Sequence, residues 1–190
     1  HIVVMGSGEP FDNYENLSKF LRIVNEQKGL GIGMRNITVS TCGIVPMILN
    51  FAEDFNQVNL AISLHASSDE DRSAIMPINN RYDIKEVLSA CDEYTKKTKR
   101  RITYEYTLVS GVNDSVQSAK RLAGLLKGKL CHVNLIPLNE VKDSGFVTVS
   151  KSKAFEFQKA LEEAGIPATI RRELGDDIDA ACGQLRLNNE

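Results

Sequence analysis

The stretch Val58-Asn-Leu-Ala-Ile-Ser-Leu-His-Ala66 carries no charged residue, is rich in aliphatic side chains, and finishes on the polar pair Ser63 and His65. Its length and make-up read as a buried strand. The same reading holds on either side of it. Upstream, Asn36-Ile-Thr-Val-Ser-Thr-Cys-Gly43 is a strand ending in a small polar loop, and Val45 to Phe55 follows as a short helix with Pro46 in its first turn. Downstream, a helix is expected over about Ile84 to Thr95, then a strand from Arg101 to Val109 and a helix over about Ser115 to Leu126. Farther out lie strands at Ile2 to Met5, His132 to Asn139 and Ala168 to Arg172. Leu17, Phe20, Leu21 and Val24 recur at helical spacing after Asn13, a candidate N-cap, and stop at Gly29; a last helix spans about Lys151 to Ala164. Strands alternating with helices at this spacing imply a parallel sheet joined by right-handed crossovers.

The strand ends choose between an open doubly wound sheet and a (β/α) barrel. Polar or glycine residues stand just past nearly every strand: Gly8 and Glu9, Ser40, Ser63 with His65, and Asn139, while Glu105 lies inside its strand. In a barrel these ends ring one mouth, where such folds hold their sites. Six strands do not close an eight-stranded barrel. The expectation is an α/β fold, a partial (β/α) TIM-type barrel of parallel strands over residues 1–174, lacking its first strand, with residues 175–190 as a separate C-terminal segment. A chain that opens inside a buried-type strand reads as part of something longer.

Composition sets the surroundings. At 190 residues, 42% hydrophobic and 25% charged, the chain has material for one sizeable core. No apolar run approaches the roughly 18 to 20 residues that span a bilayer, and no basic region followed by an apolar core opens the chain, so no membrane partner and a cytoplasmic location are expected. A formal charge of -2 means that any nucleic acid is held by local basic patches rather than by the field of the whole molecule. Cys42, Cys91, Cys131 and Cys182 fall in separate units without a CxxC pair, which indicates neither a zinc site nor a disulfide framework.

The segment Gly175-Asp-Asp-Ile-Asp-Ala-Ala-Cys-Gly-Gln-Leu185 surrounds Cys182 with small residues and carboxylates, which suits an approachable thiol better than a core one. Other motifs are less specific. Gly6-Ser-Gly8 follows a strand, but Phe11 stands where a dinucleotide loop needs glycine. Gly29, Gly31 and Gly33 read as turn residues. His65 on its own reads more readily as a hydrogen-bonded structural histidine than as a ligand. The run Lys96-Lys-Thr-Lys-Arg-Arg101 precedes a strand and so belongs to the face opposite the mouth, as a solvated loop. Arg171 and Arg172 end a strand on the mouth side, where phosphates could meet them.

With these positions in view, the sequence resembles the radical S-adenosylmethionine RNA methyltransferases of the RlmN and Cfr type. The likeness rests on Gly6-Ser-Gly-Glu-Pro10, Ser40-Thr41 with Gly43, Ser63-Leu-His65, Met76-Pro-Ile-Asn79, Gly111-Val-Asn-Asp114, Asn134-Leu-Ile-Pro137 with Asn139, and Gly175 to Leu185. The resemblance implies that the CxxxCxxC loop binding a [4Fe-4S] cluster belongs before Gly6, so no metal ligand is assigned within this chain. It assigns Gly8 and Glu9 to the methionyl amino group of S-adenosylmethionine, and Ser40, Ser63, Leu64, His65 and Asn139 to its ribose, adenine and carboxylate. By the same resemblance Cys182 first accepts a methyl group from one S-adenosylmethionine. A deoxyadenosyl radical from a second then activates that methyl for transfer to an adenine ring carbon in 23S rRNA or tRNA. A second cysteine outside this chain forms a disulfide with Cys182 to release the product, and an electron donor protein is implied as a partner. Pro10 and Glu105 resemble the carbon-2 (RlmN) branch more than the carbon-8 (Cfr) antibiotic-resistance branch. The residues alone also admit a metal-dependent or Schiff-base barrel enzyme acting on a small metabolite, with Glu9, His65 and aspartates as ligands, and a non-catalytic RNA-binding fragment.

Overall fold

Successive side chains of a strand point to opposite faces of its sheet, and here the two sets differ sharply in chemistry. The computed structural model describes residues 1–6, 8–138 and 147–171. Six strands run β1 (Ile2–Val4), β2 (Ile37–Thr41), β3 (Asn59–Ser63), β4 (Ile102–Leu108), β5 (Cys131–Pro137) and β6 (Ala168–Ile170). They form one sheet in sequence order, and each neighbouring pair is parallel. A doubly wound sheet reverses its strand order at a switch point, whereas a barrel adds strands in sequence. The sheet is therefore a section of a (β/α) barrel, as expected.

Ile37, Val39, Leu60, Ile62, Tyr106 and Leu135 project to one side and are fully buried. The helices cover that side: α1 (Tyr14–Asn25), α2 (Val45–Asp54), α3 (Asp69–Ile75), α4 (Ile84–Thr98), α5 (Val116–Leu126) and α6 (Lys151–Glu163). Phe51 of α2 stacks on Tyr94 of α4 at 6.5 Å between ring centroids, and Phe157 of α6 meets Tyr106 of β4 at 5.1 Å. The alternate residues, among them Ser40, Asn59, Ser63, Glu105 and Asn134, face the helix-free side.

Helix starts follow their local chemistry. Ser68, Ser115 and Ser150 cap α3, α5 and α6, and Asp83 with Glu86 forms a reciprocal capping box on α4. Two expectations need correction, and one helix went unanticipated. Asn13 precedes α1 but makes no capping bond; its Oδ1 accepts from Asn16, and a 3₁₀ turn over Pro10–Asn13 leads into the helix instead. Helix α3 was not legible, because Asp69–Ile75 has no apolar stripe and its one buried residue is Arg72. Lys96 and Lys97 are not loop residues but lie in the last turn of α4, where cations suit the carbonyl end of a helix. Among the described residues, no helix is long and apolar enough to cross a membrane.

Candidate functional site

The first two strand ends are joined by one carboxylate. Gly8, at φ +97°, turns the chain out of β1 in a conformation that disfavours side chains, and Glu9 follows. Glu9 Oε1 accepts the Phe11 N–H at 3.0 Å and Oε2 accepts the Cys42 N–H at 2.7 Å. A carboxylate has lone pairs beyond those two bonds, so a fixed anion with spare acceptor capacity stands at the mouth. Burial, and then the neighbouring Glu9, push the Cys42 thiol up to about 12, so this cysteine is held protonated. Gly8 and Glu9 also line a groove of about 700 Å³ beside β1.

The end of β3 is set by β4. The N–H groups of Leu64 and His65 both donate to the Glu105 carbonyl at 3.1 Å. His65 takes φ +59°, uncommon for a side-chain-bearing residue. Its Nδ1 accepts the Thr107 N–H at 3.1 Å, which leaves the proton of the neutral ring on Nε2. Burial first, and the charge of Arg72 second, lower its pKa to about 4, so at neutral pH the imidazole is an uncharged Nε2–H donor. The Leu64 side chain is in the core, and its carbonyl accepts from Arg72. Leu64 thus anchors the loop, and a ligand could meet it only through its backbone.

Sequence reasoning missed the residue that ties these ends together. Arg72 is fully buried and donates to the carbonyls of Leu64 (3.2 Å), Cys42 (2.7 Å) and Tyr82 (3.1 Å) and to Asn79 Oδ1 (2.9 Å). One guanidinium therefore fastens the ends of β2 and β3 to the turn at Pro77–Asn80. In the sequence it sits among Asp69, Glu70 and Asp71 and looks like surface; Asn79, in a motif quoted above, was the available signal. Gly43 lies against this brace at φ +102°, where a Cβ would come within 3.1 Å of Val87. Asn113 plays the matching part at β4: it accepts the Val109 N–H and donates to the carbonyls of His65 and Thr107, each bond 2.7–2.8 Å.

Across the helix-free face, Ser63 is the register partner of Glu105, and Glu105 of Asn134. Asn134 Nδ2 donates to Glu105 Oε2 at 2.7 Å. Burial raises the Glu105 pKa, opposed by the Asn134 hydrogen bond and by Arg171, which stands exposed just past β6. Ser40 lies one strand over, half-buried on the same face. Gly8, Glu9, Ser40, Ser63 and His65 thus come together at the carboxyl ends of β1 to β3. Asn139, Arg172 and Cys182, with the whole 175–190 segment, lie outside the described residues.

Two implied groups meet different fits. A ligand with an ammonium, hydroxyls and a purine finds a fixed carboxylate, serine hydroxyls and a neutral ring donor along one edge, so S-adenosylmethionine fits the residues present. An iron–sulfur cluster does not. The described cysteines are Cys42 at the β2 end, Cys91 buried in α4 and Cys131 buried at the β5 start, and no three His, Cys, Asp or Glu among the described residues gather to hold a metal. Among the described residues Glu9 and His65 gather no third ligand, and Asp176, Asp177 and Asp179, on which the metabolite-enzyme alternative draws, lie outside them.

Comparison with known proteins points the same way. Residues 1–123 match the model of the radical SAM superfamily. The chain is 58% identical over 186 residues to a Thermoanaerobacter sp. (strain X514) protein named "Probable dual-specificity RNA methyltransferase RlmN", covering 98% of this chain and 54% of that relative. The chain thus spans about half the length of the curated relatives it matches. Among solved structures it resembles a radical SAM methyltransferase from Sphaerobacter thermophilus, with a TM-score of 0.94 and 50% identity over 97% of this chain and 54% of that one. A domain of pyruvate-formate lyase-activating enzyme from Bacteroides vulgatus shares the fold at a TM-score of 0.69 and 19% identity, over 90% of this chain and 98% of that one.

Proposed function

We propose that this chain, which belongs to the radical SAM superfamily, is part of a longer enzyme that methylates a ring carbon of adenine, carbon 2, in 23S rRNA and in tRNA. Residues 1–174 are the barrel section that binds S-adenosylmethionine, and residues 175–190 carry the methyl-accepting Cys182. The observation that carries this reading is the identity to RlmN-named relatives across 98% of the chain, which includes the strand ends where Glu9, Ser40, Ser63 and His65 meet.

Glu9, held by two backbone N–H groups, takes the methionyl ammonium through a charge-assisted contact. Ser40 and Ser63 supply hydroxyls, the His65 Nε2–H supplies a neutral donor, and Asn139 completes the set. Bound there with a [4Fe-4S] cluster held by residues outside this chain, S-adenosylmethionine would supply both the methyl group and the radical that activates it. Arg171, exposed just past β6, is placed to meet RNA phosphates, and Arg172 follows it in the chain. The working partners are rRNA, tRNA and an electron donor protein, in the cytoplasm.

The test is anaerobic incubation of the protein, extended to the length of its relatives, with S-adenosylmethionine, a reductant and a 23S rRNA fragment, followed by nucleoside mass spectrometry. The expected product is 2-methyladenosine, and the Cys182 peptide gains one methyl. Cys182→Ser is expected to give no methylated adenine, since a hydroxyl is a far weaker nucleophile than a thiolate at neutral pH. Formation of 8-methyladenosine would move the protein to the carbon-8 branch. Methylation by the serine variant at a substantial fraction of the wild-type rate overturns the role of Cys182.

A further inference from the structure

Glu105 is a carboxylate in a place where a strand ordinarily carries an apolar residue. It sits in the middle of β4, with only 4% of its surface exposed, on a strand paired on both sides. Burying a carboxylate without a cation costs several kcal/mol by general estimates, yet no Lys or Arg lies within ion-pair distance of it among the described residues. Asp114, the other buried carboxylate among the described residues, differs in having Lys153 at 2.9 Å. Asn134 satisfies part of one Glu105 oxygen, and two carboxylate oxygens have about four acceptor positions between them. The polar surroundings of Glu105 are on the helix-free face, in one row with Ser63 and Asn134, and neighbouring strands in such a row stand about 4.8 Å apart. Its own carbonyl holds Leu64 and His65, so the carboxylate is in a fixed relation to the end of β3.

We infer that Glu105 is a ligand-binding residue that accepts hydrogen bonds from the ribose hydroxyls of the adenosyl ligand, with Asn134 positioning its carboxylate and Ser63 beside it. The inference rests on the cofactor reading above and extends it to a residue which that reading leaves unassigned. Ribose is the part of the ligand that matches. It presents two O–H donors on adjacent carbons, which a carboxylate can accept together, and acidic residues recognise ribose hydroxyls in the same way in dinucleotide-binding folds. The ammonium has its own carboxylate in Glu9, at the ends of β1 and β2. Burial raises the proton affinity of Glu105 against the opposing Asn134 hydrogen bond and Arg171, and among the described residues Asn134 is its one side-chain donor.

The test is calorimetric titration of the protein, extended to the length of its relatives, with S-adenosylhomocysteine and with its analogue lacking both ribose hydroxyls. Wild type is expected to prefer the hydroxylated ligand by about tenfold or more, the worth of a hydrogen bond to a charged group. In Glu105→Ala that preference collapses to within about twofold, because affinity for the hydroxylated ligand falls while affinity for the analogue holds. Equal weakening of both ligands, with the preference intact, makes Glu105 structural and overturns the inference. If the alanine variant does not unfold cooperatively, Glu105→Gln is read by the same ratio: a preference reduced at least about threefold supports the assignment, and an unchanged one overturns it. Failure of wild type to bind S-adenosylhomocysteine at all overturns the cofactor reading itself, and the inference with it.

Discussion

Ile62 and Ser63 are adjacent in β3, yet one is sealed in the core and the other lies half-buried on the helix-free face. The same contrast runs through β2, β4 and β5. On the helix side, identity is decided by volume and apolarity: rings and aliphatic groups fill the space between sheet and helices, and each buried methylene contributes on the order of 0.8 kcal/mol. On the other side, identity is decided by hydrogen-bonding capacity, as with Glu105 and Asn134. One set of strands thus carries both a core and a site. The period of two separates them, so the site can be polar without loosening the packing.

The largest expected effect comes where that division is broken. Arg72 is a cation with no exposed surface at the junction of the two strand ends. Arg72→Met keeps much of its bulk but strands three backbone carbonyls and Asn79 Oδ1, and should lower stability by about 3–5 kcal/mol in urea unfolding at pH 7. A loss below about 1 kcal/mol would mean that the ends of β2 and β3 hold their geometry without the guanidinium.

His65 gives the next effect, and its sign is fixed by its buried ring. The folded pKa is near 4 against an unfolded value near 6.5, so between these values the unfolded chain binds the extra proton. The stability contributed by the neutral ring is complete above pH 6.5 and is lost as pH falls toward 4, a change on the order of 3 kcal/mol. Asparagine tolerates positive φ and can offer Oδ1 to the Thr107 N–H. The check is to compare urea midpoints of wild type and His65→Asn at pH 7 and pH 5. Wild type should lose more on acidification, and equal losses would place the ring in water.

The smallest effect belongs to Ser63. Ser63→Ala should change stability by no more than about 0.5 kcal/mol, as for most substitutions away from the core, and weaken S-adenosylhomocysteine binding by about threefold or more. A stability loss above about 1 kcal/mol with unchanged binding would make the helix-free face structural and erase the contrast with Ile62.

Local pattern was enough to determine the alternation of strands and helices, the barrel-type architecture and the edge on which Gly8, Glu9, Ser40, Ser63 and His65 gather. Each of these follows from short-range chemistry: apolar period, a glycine at a turn, a polar residue where a strand ends. Helix α3 and Arg72 were hidden because a charged segment reads as solvated surface until the carbonyls it serves are known, and those come from Cys42, Leu64 and Tyr82, far apart in the chain. The tautomer of His65 depends on Thr107, and the unusual setting of Glu105 depends on strands β3 and β5 closing on either side of it. Burial and partnership of a polar group are properties of what surrounds it. A sequence records the group itself, and only the folded chain decides whether water, a carbonyl or a ligand is there to meet it.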